Sequence, residues 1–209
     1  MIRIVVMASG NGTDLQSIID ACESGFIDGR VVAVISNKEG AYALERAKKH
    51  GATAILIPSR GKKREKHEEE VLKELKRINP DLILLAGYMR MLTPDFIEKY
   101  SGRIMNIHPA LLPCFGGKGM YGDKVHRAVL DSGAKVSGCT VHFVTGEVDG
   151  GPIIVQRCVP VMEGDDIESL KARILEEEHR AYPEAVRLFA EGRLSIEGNR
   201  VKIKSSNNE

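Results

Sequence analysis

The chain of 209 residues is 43% hydrophobic and 28% charged, a composition that supports a sizeable core and excludes a disordered protein. Its 30 Lys and Arg nearly balance its 29 Asp and Glu, and the net charge of +1 disfavours a nucleic-acid partner, which would need a positive excess. The longest apolar runs are far shorter than the roughly 20 residues of a membrane span, and the N-terminal residues show no signal-peptide pattern. We therefore expect a cytoplasmic protein that acts on small molecules, with no membrane partner.

The four cysteines lack C-x-x-C spacing, which argues against a zinc site and a disulfide framework. They are Cys22, Cys114, Cys139 and Cys158.

A glycine-containing turn follows the first predicted strand, residues 2–7, and leads into a helix with 3.6-residue apolar periodicity. Backbone N–H groups at such a junction favour an anion, most naturally phosphate. Leu15 stands where a dinucleotide fingerprint needs its third glycine, and the second strand ends on Ser36 where that fingerprint needs an acidic residue. A monophosphate therefore fits better than NAD, and a tight turn without a ligand is the alternative. Thr13 and Gln16 have the spacing of a capping box.

Strands and helices then alternate, which indicates a parallel, doubly wound sheet. Helices are predicted at 40–50 and about 65–78, and strands at 31–35, 53–57 and 81–86. Residues 81–86 are the most continuously apolar, so we place them centrally. The basic residues 60–64 are either a solvated turn or a site for the carboxylates of an acidic ligand. Residues 87–92 form an apolar loop with one arginine, before a helix opened by Thr93.

Two polar side chains end the next strand, residues 103–108. Asn106 and His108 lie two positions apart and therefore point the same way. Pro109 ends the strand and leaves the pair at the carboxyl rim of the sheet, where ligands bind in open α/β folds. The pair is either an ordinary polar strand end or a site.

The C-terminal part is predicted to be antiparallel, because only residues 145–151 join strands 138–144 and 152–159. Asp149 lies in that connection among glycines, where a turn-forming residue is the default interpretation.

In the helix from 166 to about 190, Glu178 falls on the apolar stripe, so it should meet a cation, either a protein side chain or a ligand amine. A helix at 123–131, a terminal hairpin, 194–197 with 200–204, and a polar tail, 205–209, complete the prediction. The fold class is α/β, a doubly wound, mostly parallel Rossmann-like sheet with an antiparallel C-terminal part.

The sequence closely resembles the phosphoribosylglycinamide formyltransferase family, folate-dependent enzymes of purine biosynthesis, from residue 1 to about 195. The motifs that carry the resemblance occur in order: Ser9-Gly10-Asn11-Gly12-Thr13, Gly87-Tyr88-Met89-Arg90-Met91-Leu92, Asn106-Ile107-His108-Pro109-Ala110-Leu111-Leu112-Pro113, Val141-His142-Phe143-Val144, Val148-Asp149-Gly150-Gly151-Pro152-Ile153, and Glu178-His179 before Tyr182-Pro183. The resemblance implies transfer of a formyl group from 10-formyltetrahydrofolate to the amine of glycinamide ribonucleotide, without a metal. It also implies one formyltransferase domain, 1–209, with a nucleotide-phosphate half at about 1–100, a folate and catalytic half at about 101–190 and a terminal hairpin at about 191–204.

The resemblance further implies residue roles. The substrate phosphate would be held by Gly12, Thr13 and Asp14, and the substrate amine by Glu178. Arg64 would bind the carboxylated end of the folate, and the backbone of Met89, Arg90, Met91 and Leu92 would bind its pterin. Asn106 would also contact the folate. A loop would close over it, formed by Thr145, Gly146, Glu147, Val148 and Asp149. Asn106 and His108 are suited to hold the oxyanion of a tetrahedral intermediate, and Asp149 to help relay the proton from the amine to the departing folate nitrogen.

Relatives with other activities on the same core are the competing interpretations. A methionyl-tRNA formyltransferase should have a further C-terminal domain, and a formyltetrahydrofolate hydrolase an N-terminal regulatory domain. A binding module without activity is disfavoured by the presence of Asn106, His108 and Asp149. The oligomer is expected to be a monomer or a homodimer. Asp14 departs from the family, in which Asn is common.

Overall fold

The computed structural model describes residues 1–205, so most of the predicted polar tail lies outside the described residues. The chain divides into two compact units, of which the first ends at Asn106 and the second begins at Ile107. This boundary lies close to the predicted change of half at about residue 100. The assignment of the whole chain to one domain stays a prediction.

The first unit contains a parallel sheet in the order β3-β2-β1-β4-β5. Its strands are β1 (Ile2–Ala8), β2 (Gly29–Ser36), β3 (Thr53–Leu56), β4 (Leu82–Leu85) and the first three residues of β5 (Ile104–His108). All four residues of β4 are buried and β4 pairs with β1 and β5, which confirms the central position predicted from its apolar run. The strand order reverses at β1 and β4, and in doubly wound sheets ligands bind at the carboxyl ends of the strands at this reversal.

The helices of this unit are α1 (Thr13–Glu23), α2 (Tyr42–Lys49), α3 (Arg64–Ile78) and α4 (Pro94–Lys99). The predicted capping box of Thr13 and Gln16 is wrong. Gly12 is the N-cap, in the left-handed region at φ 69°, and no side chain caps the helix. Thr13 is therefore already inside the first turn. Thr93 does cap α4, because its hydroxyl accepts a hydrogen bond from the backbone N–H of Phe96.

The second unit contains α5 (Asp123–Asp131), β6 (Val136–Phe143), β7 (Ile153–Pro160), α6 (Ile167–Ala190), β8 (Leu194–Glu197) and β9 (Arg200–Ile203). β6 and β7 are antiparallel, as are β8 and β9, and β7 meets β9 in a parallel pairing. The predicted fold class is confirmed in both its parallel and its antiparallel parts.

The four cysteines are free thiols. None of the helices within residues 1–205 has the length and apolar character needed to cross a bilayer.

Candidate active site

The turn after β1 is shaped for a backbone-bound anion. Gly12 is left-handed, and a Cβ there would stand 2.9 Å from the Cβ of Ala43, so only glycine fits. The first intrahelical hydrogen bond of α1 runs from Gln16 N–H to Gly12 O, and the N–H groups before it point out of the helix N-terminus. Thr13 and Asp14 are the first two residues of that turn. The predicted phosphate-binding residues therefore form one helix N-terminus.

Asp14 adds a carboxyl group to this N-terminus. The carboxyl oxygen Oδ1 is enclosed by protein, and this burial raises the pKa of Asp14 to about 6 from its ordinary value of 3.8. The helix dipole favours a carboxylate at this position, whereas desolvation disfavours its charge. Desolvation is the larger effect.

The segment of residues 87–93, here called the 87–93 segment, connects β4 to α4. Ser9 fixes its start, since Ser9 N–H donates to Gly87 O at 3.1 Å and Ser9 Oγ accepts from Met89 N–H at 2.9 Å. The Arg90 guanidinium donates to Ser59 O at 3.3 Å. Met89 and Met91 are 55% and 46% exposed, an apolar edge suited to a flat ring.

Arg64 is the exposed first residue of α3, and no described contact joins it to the 87–93 segment. In the neighbouring basic turn, Lys62 is paired with Glu70 at 2.7 Å. The role expected for Arg64, which is to bind the folate carboxylates, therefore stays a prediction.

The end of β5 carries the predicted catalytic pair. Asn106 is half-buried and lies opposite Leu85 in the β4 register. His108 is 4% exposed, and its Nε2 lies 2.9 Å from the carbonyl oxygen of Phe115. Because a carbonyl only accepts, this contact places a proton on Nε2 and turns Nδ1 toward Asp149.

Asp149 lies between two histidines. Its Oδ2 is 3.7 Å from His108 Nδ1, and its Oδ1 is 3.8 Å from His142 Nε2. Oδ2 also accepts a 2.9 Å hydrogen bond from Gly117 N–H. The backbone of Asp149 is left-handed, at φ 56°, a conformation that Asp tolerates better than most residues. The structure therefore brings two of the predicted catalytic residues, His108 and Asp149, close together.

His142 is a site residue that the sequence interpretation missed. It is 2% exposed, its Nδ1 lies 2.9 Å from Phe143 O, and burial lowers its pKa, so it is neutral near pH 7. Its neutral ring presents Nε2 to the carboxylate of Asp149. The alternation of β6, which puts Thr140 and His142 on one face, was the available signal.

Thr140 and Gln156 support the loop that follows His108. Thr140 is fully buried; its hydroxyl donates to Ala110 O at 2.7 Å and accepts from Leu112 N–H at 3.0 Å. Gln156 Nε2 donates to Leu112 O at 2.9 Å. These bonds hold the chain between His108 and its partner Phe115.

The predicted closing loop lies between β6 and β7. Thr145 is half-buried, and the next three residues, Gly146, Glu147 and Val148, are exposed. Gly151 packs so closely on the backbone oxygen of Phe143 that a Cβ would overlap it, whereas a Cβ at Gly146 would meet nothing. The loop is therefore fixed after Asp149 and has open space before it.

Glu178 is buried on α6, 8% exposed, on the stripe that includes Ile174 and Ala181. The inward orientation predicted from its position is confirmed. Within residues 1–205 no cluster of three or more His, Cys, Asp or Glu side chains could hold a metal ion.

Known proteins resemble this chain in both sequence and fold. Residues 2–186 match the family model described as Formyl transferase. Phosphoribosylglycinamide formyltransferase of Escherichia coli (strain K12) is 46% identical over 198 residues, which are 94% of this chain and 91% of that protein. The crystal structure of glycinamide ribonucleotide transformylase 1 from Symbiobacterium toebii has a TM-score of 0.93 at 50% identity, covering 98% of this chain and 95% of that one. A formyltetrahydrofolate deformylase from Pseudomonas syringae pv. tomato is similar at 28% identity and a TM-score of 0.89, covering 98% of this chain and 66% of that one. The chain belongs to the formyl transferase family.

Proposed function

We propose that this protein transfers the formyl group of 10-formyltetrahydrofolate to the amine of glycinamide ribonucleotide, a step of de novo purine biosynthesis. The relatives that are 46% and 50% identical carry this activity in their names. The observation that carries the proposal for this chain is the His108–Asp149 contact, held on both sides by the loop containing Phe115 and Gly117.

The reaction is a direct attack. The substrate amine forms a bond to the formyl carbon, and the carbonyl electron pair becomes an oxyanion. The amine loses a proton, the bond from carbon to the folate nitrogen breaks, and that nitrogen gains a proton. The products are the formylated amide and tetrahydrofolate, and the chain itself forms no covalent bond.

His108 and Asn106 are proposed as donors to the oxyanion. The Nε2–H of His108 donates to Phe115 O in this structure, so the oxyanion competes with that carbonyl as the acceptor. The carboxylate of Asp149 faces His108 Nδ1, and Asp149 is proposed to relay the proton. Positioned acid–base groups of this kind contribute about 10²- to 10⁴-fold to a rate.

Substrate binding is divided among three predicted contacts. The α1 N-terminus, with Gly12, Thr13 and Asp14, is proposed to hold the phosphate through backbone N–H groups. Glu178 is proposed to hold the substrate amine, since a buried carboxylate suits a cation. The backbone and apolar side chains of the 87–93 segment are proposed to hold the pterin.

A steady-state assay that follows loss of the formyl group from the folate tests the proposal. We expect turnover only when glycinamide ribonucleotide is present. The similarity to a deformylase supplies the second candidate, hydrolysis of the formylfolate. Turnover that is equally fast without the amine would identify the hydrolase and contradict the transferase.

The cytoplasmic location stays a prediction, which cell fractionation would check. The choice between monomer and homodimer also stays a prediction, which light scattering after gel filtration would check.

A further inference from the structure

The 87–93 segment is tied at both of its ends by buried polar side chains. Glu68 on α3 is 5% exposed, and its carboxylate accepts from Thr93 N–H at 2.8 Å and from the Thr93 hydroxyl in a second, short contact. Burial of a carboxylate is costly without such partners. Glu68 therefore holds the C-terminal end of the segment, and Thr93 in turn caps α4.

The N-terminal end is tied through Ser9, which is also 5% exposed. Its hydroxyl accepts from Met89 N–H and donates to Asn37 Oδ1 at 2.5 Å. Asn37 Nδ2 donates to Ser59 Oγ at 3.0 Å, and Ser59 O accepts from Arg90. A chain of hydrogen bonds thus runs from the ends of β1 and β2 to the start of the segment.

Between these two ties, the segment's backbone is open. In the part of the chain that the structure describes, the N–H groups of Arg90, Met91 and Leu92 donate to no protein acceptor. The N–H of Met89 is already used by Ser9. The segment therefore has a short row of polar backbone groups beside two exposed methionines. Its two ends are held by polar side chains, here called the anchors: the Ser9–Asn37 pair at one end and Glu68 at the other.

We propose that Glu68 and the Ser9–Asn37 pair are positioning residues for folate binding: they hold the 87–93 segment in the shape that receives the pterin, without touching it. The inference rests on the proposed function, because that function assigns the pterin to this segment. Backbone donors that are already fixed in the free protein bind a ligand more tightly than mobile ones, because their conformational entropy is lost on folding and not on binding. Loss of an anchor should therefore weaken folate affinity and leave the other substrate unaffected.

The test compares Glu68→Ala with Glu69→Ala, its exposed neighbour on the same helix. Binding of tetrahydrofolate is measured by titration calorimetry, and KM is measured for both substrates. We expect Glu68→Ala to raise the Kd of tetrahydrofolate about tenfold, because the segment would then have to be ordered on binding. The KM of glycinamide ribonucleotide should change less than about twofold, and Glu69→Ala should change neither quantity.

A second pair covers the case in which Glu68→Ala does not fold. Thr93→Ser keeps both donors to Glu68 and should bind tetrahydrofolate normally, whereas Thr93→Val loses the hydroxyl and should bind it about threefold to tenfold more weakly. Ser9→Ala should also weaken tetrahydrofolate binding. Folded anchor variants with normal Kd would overturn the inference alone. A wild-type protein that binds no tetrahydrofolate would overturn the proposed function, and the inference with it.

Discussion

Asp149 and His108 face each other at 3.7 Å, a distance longer than a hydrogen bond, while Asp149 Oδ2 is engaged by Gly117 N–H. The same loop engages the other side of the imidazole through Phe115 O. The spacing of the pair is therefore set by the loop after β5 and not by the pair itself. A movement of this loop would change both partners together.

The first prediction concerns the pair directly. His108→Ala removes the proposed oxyanion donor, and Asp149→Asn removes the carboxylate that faces its imidazole. We expect each variant to lower kcat by about 10²- to 10⁴-fold. The Kd of tetrahydrofolate should change far less. Stopped-flow or steady-state kinetics with parallel calorimetry measure both, and near-normal kcat in the two variants would refute the assigned roles.

The second prediction uses two glycines of the loop between β6 and β7. Gly151→Ala would drive a methyl group into the backbone oxygen of Phe143, so the loop must shift and carry Asp149 with it. Gly146→Ala places its methyl group in open space. We expect a kcat loss of about tenfold or more for Gly151→Ala, because small misplacements at a reacting centre are costly. Equal kcat values for the two variants would contradict this account.

The third prediction concerns pH and Asp14. Because burial raises the pKa of Asp14 from 3.8 to about 6, the folded state holds this proton more tightly than the unfolded chain does. Its contribution to stability is therefore present at low pH and is lost as the pH rises from about 4 to about 6. The side chain of Asp14→Asn does not titrate. The free energy of unfolding of this variant should therefore exceed that of wild type by about 1 to 3 kcal/mol above pH 6, and the two values should be closer near pH 4. Urea unfolding across this range measures the gap, and a gap that does not vary with pH would count against the shifted pKa.

The fourth prediction tests the phosphate site. Gly12→Ala forces a left-handed residue to accept a side chain and brings a methyl group 2.9 Å from the Cβ of Ala43. The α1 N-terminus should move, so we expect the variant to lose about tenfold in affinity for glycinamide ribonucleotide. A dephosphorylated analogue should bind wild type and variant alike. If both ligands lost affinity equally, the site would not be a phosphate site.

Much of the fold could be predicted because local patterns determine it. The helix predicted at 123–131 has those bounds in the structure, since its apolar period, first-turn Asp123 and following glycine agree. The burial of Glu178 followed from its place on an apolar stripe. The same reasoning would have found Glu68, which lies three residues before Val71 and seven before Leu75 on α3, both of them fully buried.

Other parts of the site depend on contacts that sequence periodicity does not contain. The approach of His142 to Asp149 requires the left-handed turn at Asp149 and the packing of Gly151 on Phe143, which involve two strands and their loop. The capping prediction failed because Gly12 adopts a conformation that shifts the helix start by one residue. A turn rich in glycine leaves this choice open until tertiary contacts, here with Ala43, decide it.

With the pterin assigned to the 87–93 segment, as proposed above, the hydrogen bond from Met89 N–H to Ser9 bears on the design of folate analogues. An acceptor aimed at Met89 would have to displace the Ser9 hydroxyl and would gain little, because the Met89 N–H would only exchange one acceptor for another. Acceptors that match the N–H groups of Met91 and Leu92 would meet donors with no protein partner among residues 1–205. An inhibitor series that varies only the acceptor position should therefore gain potency when the acceptor reaches those two residues.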